Sequence, residues 1–329
     1  MGRESGSKWH RAVLGIVLAP LLLHPAETPA AGDPLPLPEG VKLVLHMDLD
    51  RLRDSDLYQE AAEHVGMLAR SDEKLQMFLA ATGLADMSGS IRSFTLYSFA
   101  DETRPQSFAG VVGADFPDQT MRRLEKAYAP VAREVGGHVI MPVIQTADVE
   151  LVMSFLGDGE LSFGTADAVE MVVDRSKESP ELVAARSRTE IRRPIWGLID
   201  ARGVVEAALR AGEASGGNLE VLGALKDNPA IHSIKAIGFS VDIGKDIFFE
   251  LRALTADDDS ARLLADAAKG LLALGQMGVS QARDPDLYEL LRQIVAEADR
   301  DGMVVSFTVG PNQIERLRAI GDPVGDLIP

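Results

Sequence analysis

Four apolar segments recur in the same order in the two halves of this chain, and that recurrence limits the fold more than any single residue does. Val41-Lys42-Leu43-Val44-Leu45-His46-Met47-Asp48 reads as a mostly buried strand that ends in Asp, after which Asp48 or Asp50 starts a helix with Leu52, Leu57 and Ala61 in its pattern. Ile195-Trp196-Gly197-Leu198-Ile199-Asp200 repeats this opening, with Val204, Val205, Ala208 and Leu209 on the apolar side of the next helix, so Asp48 and Asp200 look equivalent. Ile91 to Tyr97 lines up with Ile234 to Ser240, and Ser107 to Val112 with Ile247 to Arg252. Each of these latter strands leads into an acidic turn and a helix, in which Asp118 matches Asp258 and Leu124 matches Leu264. Leu161-Ser162-Phe163-Gly164 precedes a helix with Val169 and Val172, and Val305-Ser306-Phe307-Thr308 precedes one with Ile314 and Leu317.

A period of roughly 140 to 150 residues is too long for a solenoid repeat and suits tandem domains. The spacing predicts a boundary between residues 180 and 194, where Ser176-Lys177-Glu178-Ser179-Pro180 and Arg192-Arg193-Pro194 supply turn and breaker chemistry. Neighbouring strand pairs, 91–99 with 107–113 and 231–241 with 246–254, predict antiparallel pairing. The expected fold class is α+β, with two tandem related domains, each an antiparallel sheet covered by helices and a relative of the ferredoxin-like architecture. The halves are expected to differ by insertions. The first adds a hairpin from Val149 to Phe163 that turns at Gly157-Asp158-Gly159, and the second a long helix around Pro285 to Asp299.

The first residues have the order of a secretory signal: Arg3, Lys8 and Arg11, an apolar run from Ala12 to Leu23, then the small-residue segment Ala26 to Gly32. The run is shorter than the roughly 20 apolar residues of a spanning helix and contains Pro20, which favours cleavage over anchoring. Cleavage after Ala30 or a residue or two away is expected. The chain then divides into a signal peptide over 1–31, a Pro-rich linker over 32–40, a first α+β domain over 41–185 and a second over 186–329. Localisation is expected to be periplasmic or extracellular, with no stable membrane span after cleavage. Cysteine is absent, which excludes disulfides, thiolate metal sites and a cysteine nucleophile, so burial must hold the exported chain together. Without residues 1–31 the chain keeps 48 acidic and 30 basic side chains, a net charge of −18 that repels nucleic acid and anionic headgroups.

The opening from Val44 to Tyr58, the segment Asp158-Gly159-Glu160-Leu161-Ser162-Phe163-Gly164-Thr165 before a helix, and the second opening from Trp196 to Asp200 together resemble exported bacterial proteins of domain of unknown function 3352 type. The likeness spans most of the chain beyond the signal. It rests on strand ends and hairpin turns. What it implies is export and a duplicated α+β fold, and it carries over no site.

Catalytic signatures are missing: there is no His-Glu-x-x-His, no Gly-x-Ser-x-Gly, no phosphate loop and no dinucleotide fingerprint. His46, Asp48 and Asp50 alternate, so a strand continued through Asp50 would put all three on one face, within reach of a divalent cation. Arg51 and Arg53 oppose that reading, and the two Asp residues sit where a helix wants an N-cap. At the corresponding places the second half has Leu198, Asp200 and Arg202, so only the first Asp recurs, as capping requires. Asp54-Ser55-Asp56 and Asp257-Asp258-Asp259-Ser260 lack calcium-loop spacing and read as acids at helix starts. His46, His64, His138 and His232 form no paired ligand motif, and the turns Ser88-Gly89-Ser90 and Gly157-Asp158-Gly159 need only glycine's freedom. Trp196, and Leu263, Leu264, Ala267, Leu271 and Leu272 at helical spacing, read as core. No catalytic residue and no cofactor is assigned.

Three functions compete on this basis. One is a non-enzymatic envelope or secreted protein that binds an unknown protein or envelope component. The second is a carboxylate-dependent hydrolase whose active site is dispersed in sequence. The third is a scaffold that works by self-association.

Overall fold

The computed structural model describes residues 35–53, 55, 91–99, 107–116, 118–145, 150–157, 159–174, 177–201, 229–282, 285–311 and 313–314. The signal, the cleavage site, Asp54, Asp56, Leu57, Ala61, His64, Ser88 to Ser90, Asp158, the helix with Val204 to Leu209, and Leu317 lie outside them. The protein is α+β, with twelve strands and seven helices among the described residues. All pairings of the ladders described below are antiparallel. By contacts the chain divides into two compact units, Met1–Pro180 and Glu181–Pro329.

The first unit holds β1 (Leu43–Asp48), α1 (Leu49–Leu52), β2 (Ile91–Ser98), β3 (Phe108–Ala114), α2 (Asp118–Tyr128), β4 (Arg133–Val135), β5 (His138–Gln145), β6 (Glu150–Gly157), β7 (Glu160–Thr165) and α3 (Ala166–Val173). Its strands run in the order β1-β2-β3-β7-β6-β5-β4. β3, the apolar run FAGVVGA, is buried at every position, as an interior strand with both faces covered must be. Helix α3 packs on β3, β6 and β7 through Ala168, Val169, Val172 and Val173. Phe94, Met153 and Leu161 are fully buried on one face of these strands and Tyr97 on the other. Gly110 is there because of packing: a Cβ at this position would stand 2.6 Å from the ring of Phe163, its partner across the ladder.

The second unit holds α4 (Pro180–Arg188, whose first residue closes the first unit), β8 (Ile195–Asp200), α5 (Pro229–His232), β9 (Ala236–Ile243), β10 (Ile247–Leu254), α6 (Asp258–Ala282), α7 (Pro285–Gln293), β11 (Val295–Asp299) and β12 (Gly302–Val309). Its order is β8-β9-β10-β12-β11. Asp257 caps α6, its Oδ1 accepting from the Ser260 amide at 2.8 Å, and that hydrogen bond holds its carboxyl below the usual range. Leu264 and Ala265 of α6 pack with Ala230, Ile231, Ala253 and Met303 to form this unit's core.

Three expectations are corrected. The pattern from Pro285 to Asp299 is a helix only as far as Gln293; Val295–Asp299 is a strand paired with β12 around the two-residue turn Arg300-Asp301, where Arg300 takes φ +52°. A free edge of β12 recruited residues whose local pattern suits a helix. Consequently the hairpin β6–β7 is no insertion, because β11–β12 is its counterpart. Among the described residues the feature found in the first unit alone is β4–β5, which turns at Gly136-Gly137 with φ of +57° and +81°. The strand expected from residue 231 begins at Ala236, since Pro229–His232 completes a helical turn first. Between the two breaker clusters the chain is helical, with Pro180 at the position where its missing amide costs nothing.

Candidate functional site

β1 stops at Asp48 because Asp48 caps the helix that follows. Its Oδ1 accepts from the Arg51 amide at 3.1 Å, and its other carboxylate oxygen lies 3.2 Å from Arg51 Nε. Asp50 therefore belongs to the first turn of α1 and has left the strand face that His46 and Asp48 share. Its carboxylate, only 11% exposed, is 2.6 Å from Nη1 of Arg53, and Nη2 of the same guanidinium donates to the Ile91 carbonyl. Burial raises the Asp50 pKa, and Arg53 works against that rise. His46 Nδ1 lies 2.9 Å from Thr95 Oγ1, directly across the β1–β2 ladder. Burial lowers the His46 pKa to about 4, Asp48 pulling the other way, so the ring is neutral at pH 7.

The three metal candidates are thus dealt to three different partners. Among the described residues no group of three or more His, Asp or Glu side chains is placed to hold a metal ion. His138 is likewise engaged, with Nδ1 3.2 Å from the Phe155 carbonyl. Trp196 lies in β8 and is buried, as the sequence suggested.

Sequence reasoning missed the row to which His46 belongs. Successive ladder partners His46, Thr95, Val111, Ser162 and Ser154 cross β1, β2, β3, β7 and β6 on one face. Thr95 is 2% exposed and the two serines not at all, and neither serine hydroxyl has a hydrogen-bond partner in the protein. The only hint in the sequence was polar residues inside apolar strands. Their alignment depends on register, which periodicity does not supply.

In the second unit the same face carries charge. Arg193 Nη1 donates to Ser240 Oγ at 2.8 Å, its Nη2 lies 3.4 Å from Glu250 Oε2, and its guanidinium sits 4.3 Å from the centre of the Phe248 ring. Arg252 contacts Glu250 at 3.7 Å and also pairs with Asp299. At the β9–β10 turn an open cleft of about 660 Å³ is lined by Lys245, Asp246, Gln293, Thr308, Gly310 and Gln313. Its volume suits a small ligand. Lys245 and Asp246 are the charged residues of its lining, and Gln313 Oε1 accepts from the Gly310 amide at 2.9 Å.

No family model, no curated protein and no solved structure matches this chain. Among the described residues no helix is long and apolar enough to cross a membrane.

Proposed function

We propose that this chain is an exported protein of the cell envelope, built by duplication of one α+β unit, that binds another protein or an envelope component without catalysing a reaction. The observation that carries the duplication is the common strand order, β1-β2-β3-β7-β6 against β8-β9-β10-β12-β11, with all four sequence matches falling on corresponding strands. The kinship with ferredoxin-like folds is one of element content: here the first strand of each unit pairs antiparallel with the second. The relation to domain of unknown function 3352 proteins rests on the strand-Asp-helix openings. A binding role is supported by the way carboxylates are used, as helix caps at Asp48 and Asp257 and in ion pairs at Asp50 and Glu250. Export rests on the pattern of residues 1–31.

The hydrolase alternative has one observation in its favour, the buried Asp50 with its raised pKa. Native mass spectrometry of the protein purified from the envelope of its own host tests both. The expected mass lacks the first segment of roughly 30 residues and includes a bound partner. Saturable hydrolysis that Asp50→Asn abolishes, with unchanged thermal unfolding, would replace the binding reading with the catalytic one.

A further inference from the structure

The Pro-rich stretch ahead of β1 folds back onto the first unit. Leu37, in the segment expected to be a linker, is fully buried and Pro38 beside it is buried too, whereas Leu263 and Leu271 of α6, expected in the core from their spacing, are 54% and 37% exposed. That corrects the reading of those two leucines; of the pair at 263 and 264, only Leu264 faces inward.

The backbone on either side of Pro38 is bonded to residues 177–179. The Glu39 amide donates to the Lys177 carbonyl at 3.1 Å and the Leu37 carbonyl accepts from the Ser179 amide at 2.8 Å, which makes Pro38 and Glu178 an antiparallel pair. Residues that face each other between two such bonds exchange none themselves, so the missing amide of Pro38 costs nothing. The fixed φ of Pro36 and Pro38 also limits the freedom this strap loses on ordering. Beyond it the Val41 amide donates to the Pro38 carbonyl at 3.2 Å around Gly40, whose φ of +85° suits the third position of a type II turn. The Lys42 amide then donates to the Ser98 carbonyl at 2.7 Å, which ties the strap to the β1–β2 ladder.

What the strap holds is the exit of the first unit. Ser179, only 7% exposed, immediately precedes Pro180, the last residue of that unit and the first of α4. The pairing is nevertheless a lone bridge outside the strands. Its ion pair, Lys177 with Glu39 at 3.9 Å, joins two mostly exposed side chains and adds little. A segment with so few backbone bonds opens by itself, while the sheet stays folded.

We infer that residues 35–39 are a releasable latch on residues 177–179, so that the point where the chain leaves the first unit is held or freed according to where the N-terminus is cut. Signal removal after Ala30, which the proposed export requires, leaves the latch whole. A cut beside Glu39 or Gly40, both exposed, detaches it, because nothing then keeps the short Pro-rich piece near its partner.

Hydrogen exchange of the chain without residues 1–31 reads the latch through residues 177–182, where the Ser179 amide lies. Leu37→Ser is expected to speed exchange there about tenfold or more and to leave β3 as protected as before. A rise that spreads to β3, or a chain that no longer folds, makes the strap part of the common core and overturns the proposal. Glu39→Pro keeps the turn, whose second position favours proline, and deletes the bond to Lys177; about threefold faster exchange at 177–182 is expected. No change there in this variant overturns the proposal as well. A chain begun at residue 41 is expected to exchange at 177–182 as Leu37→Ser does, and one begun at residue 1 as the chain begun at residue 32. Continued protection of 177–182 in the chain begun at residue 41 would show that the strap holds nothing.

Discussion

The two units place different residues on one ladder. The row His46, Thr95, Val111, Ser162, Ser154 of the first corresponds to Leu198, Gly238, Arg252, Val304, Glu297 of the second. The far end of the first row is buried and uncharged, and that of the second is exposed and charged. Strand content explains the contrast. In the first unit β4 and β5 lie beyond β6, so Ser154 is interior; in the second, β11 ends the strand order among the described residues, and its Glu297 and Asp299 mark a charged edge strand. The extra hairpin, and not the shared topology, decides which ladder positions must give up charge.

The neighbouring row shows the units dividing volume differently. Gly110 faces Phe163 in the first, and Leu251 faces Val305 in the second. By ladder position Gly110 takes the place of Leu251, one residue from the Glu250 that alignment of the two sequences suggests, and Phe163 that of Val305, two residues from the Phe307 of that alignment.

This equivalence is most severely tested by giving the first unit the second unit's residues. Gly110→Leu, alone, drives a side chain into the Phe163 ring and is expected to destabilise by at least about 3 kcal/mol in urea unfolding. Adding Phe163→Val, which completes the swap, should restore about half of that loss. Absence of any rescue would show that the two rows do not correspond.

The next largest effect is expected at His46. Its folded pKa of about 4 lies below the ordinary value of 6.5, so between these values the unfolded chain takes up a proton that the folded chain refuses. Stability from this site is therefore complete above pH 6.5 and falls as pH drops toward 4, by up to roughly 3 kcal/mol. Asp50, with its raised pKa, contributes in the opposite sense. His46→Leu, the residue of the second unit, should flatten the His46 part of the curve in urea titrations at pH 7, 5.5 and 4. An undiminished slope would assign the pH dependence to other groups.

The smallest effect is expected where charge already meets water. Arg193 and Glu250 are 19% and 18% exposed, and a double-mutant cycle with Leu at both positions should give a coupling of about 1 kcal/mol that shrinks in high salt. A coupling near zero would leave Ser240 and Phe248 as the partners that order Arg193.

What was legible beforehand follows from how local each signal is. The strands at Leu43–Asp48 and Ile195–Asp200 announce themselves by apolar runs, and the helix starts at Asp118 and Asp258 by acids before an apolar pattern. Asp48 was read as a cap from its neighbours alone, and the structure places it as one. Asp50 could be read on the strand face or in the helix start, because a single-residue choice of strand end decides which way a side chain points, and the structure puts it in the first helical turn. Thr95, Ser154 and Ser162 were invisible as a group, since no short-range pattern records who lies opposite whom.

Residue types and their spacing by themselves determined where most of the strands run, that Asp48 caps a helix, and the chain's freedom from thiol chemistry. Tertiary structure alone decided that Val295–Asp299 leaves the helical pattern to pair with β12, and that Leu263 and Leu274 face outward while Leu264 faces the core. It also decided that His46 gives up its charge. Each of these depends on which long-range partner excludes water from a given position, and a side chain's own neighbours in sequence carry no record of that partner.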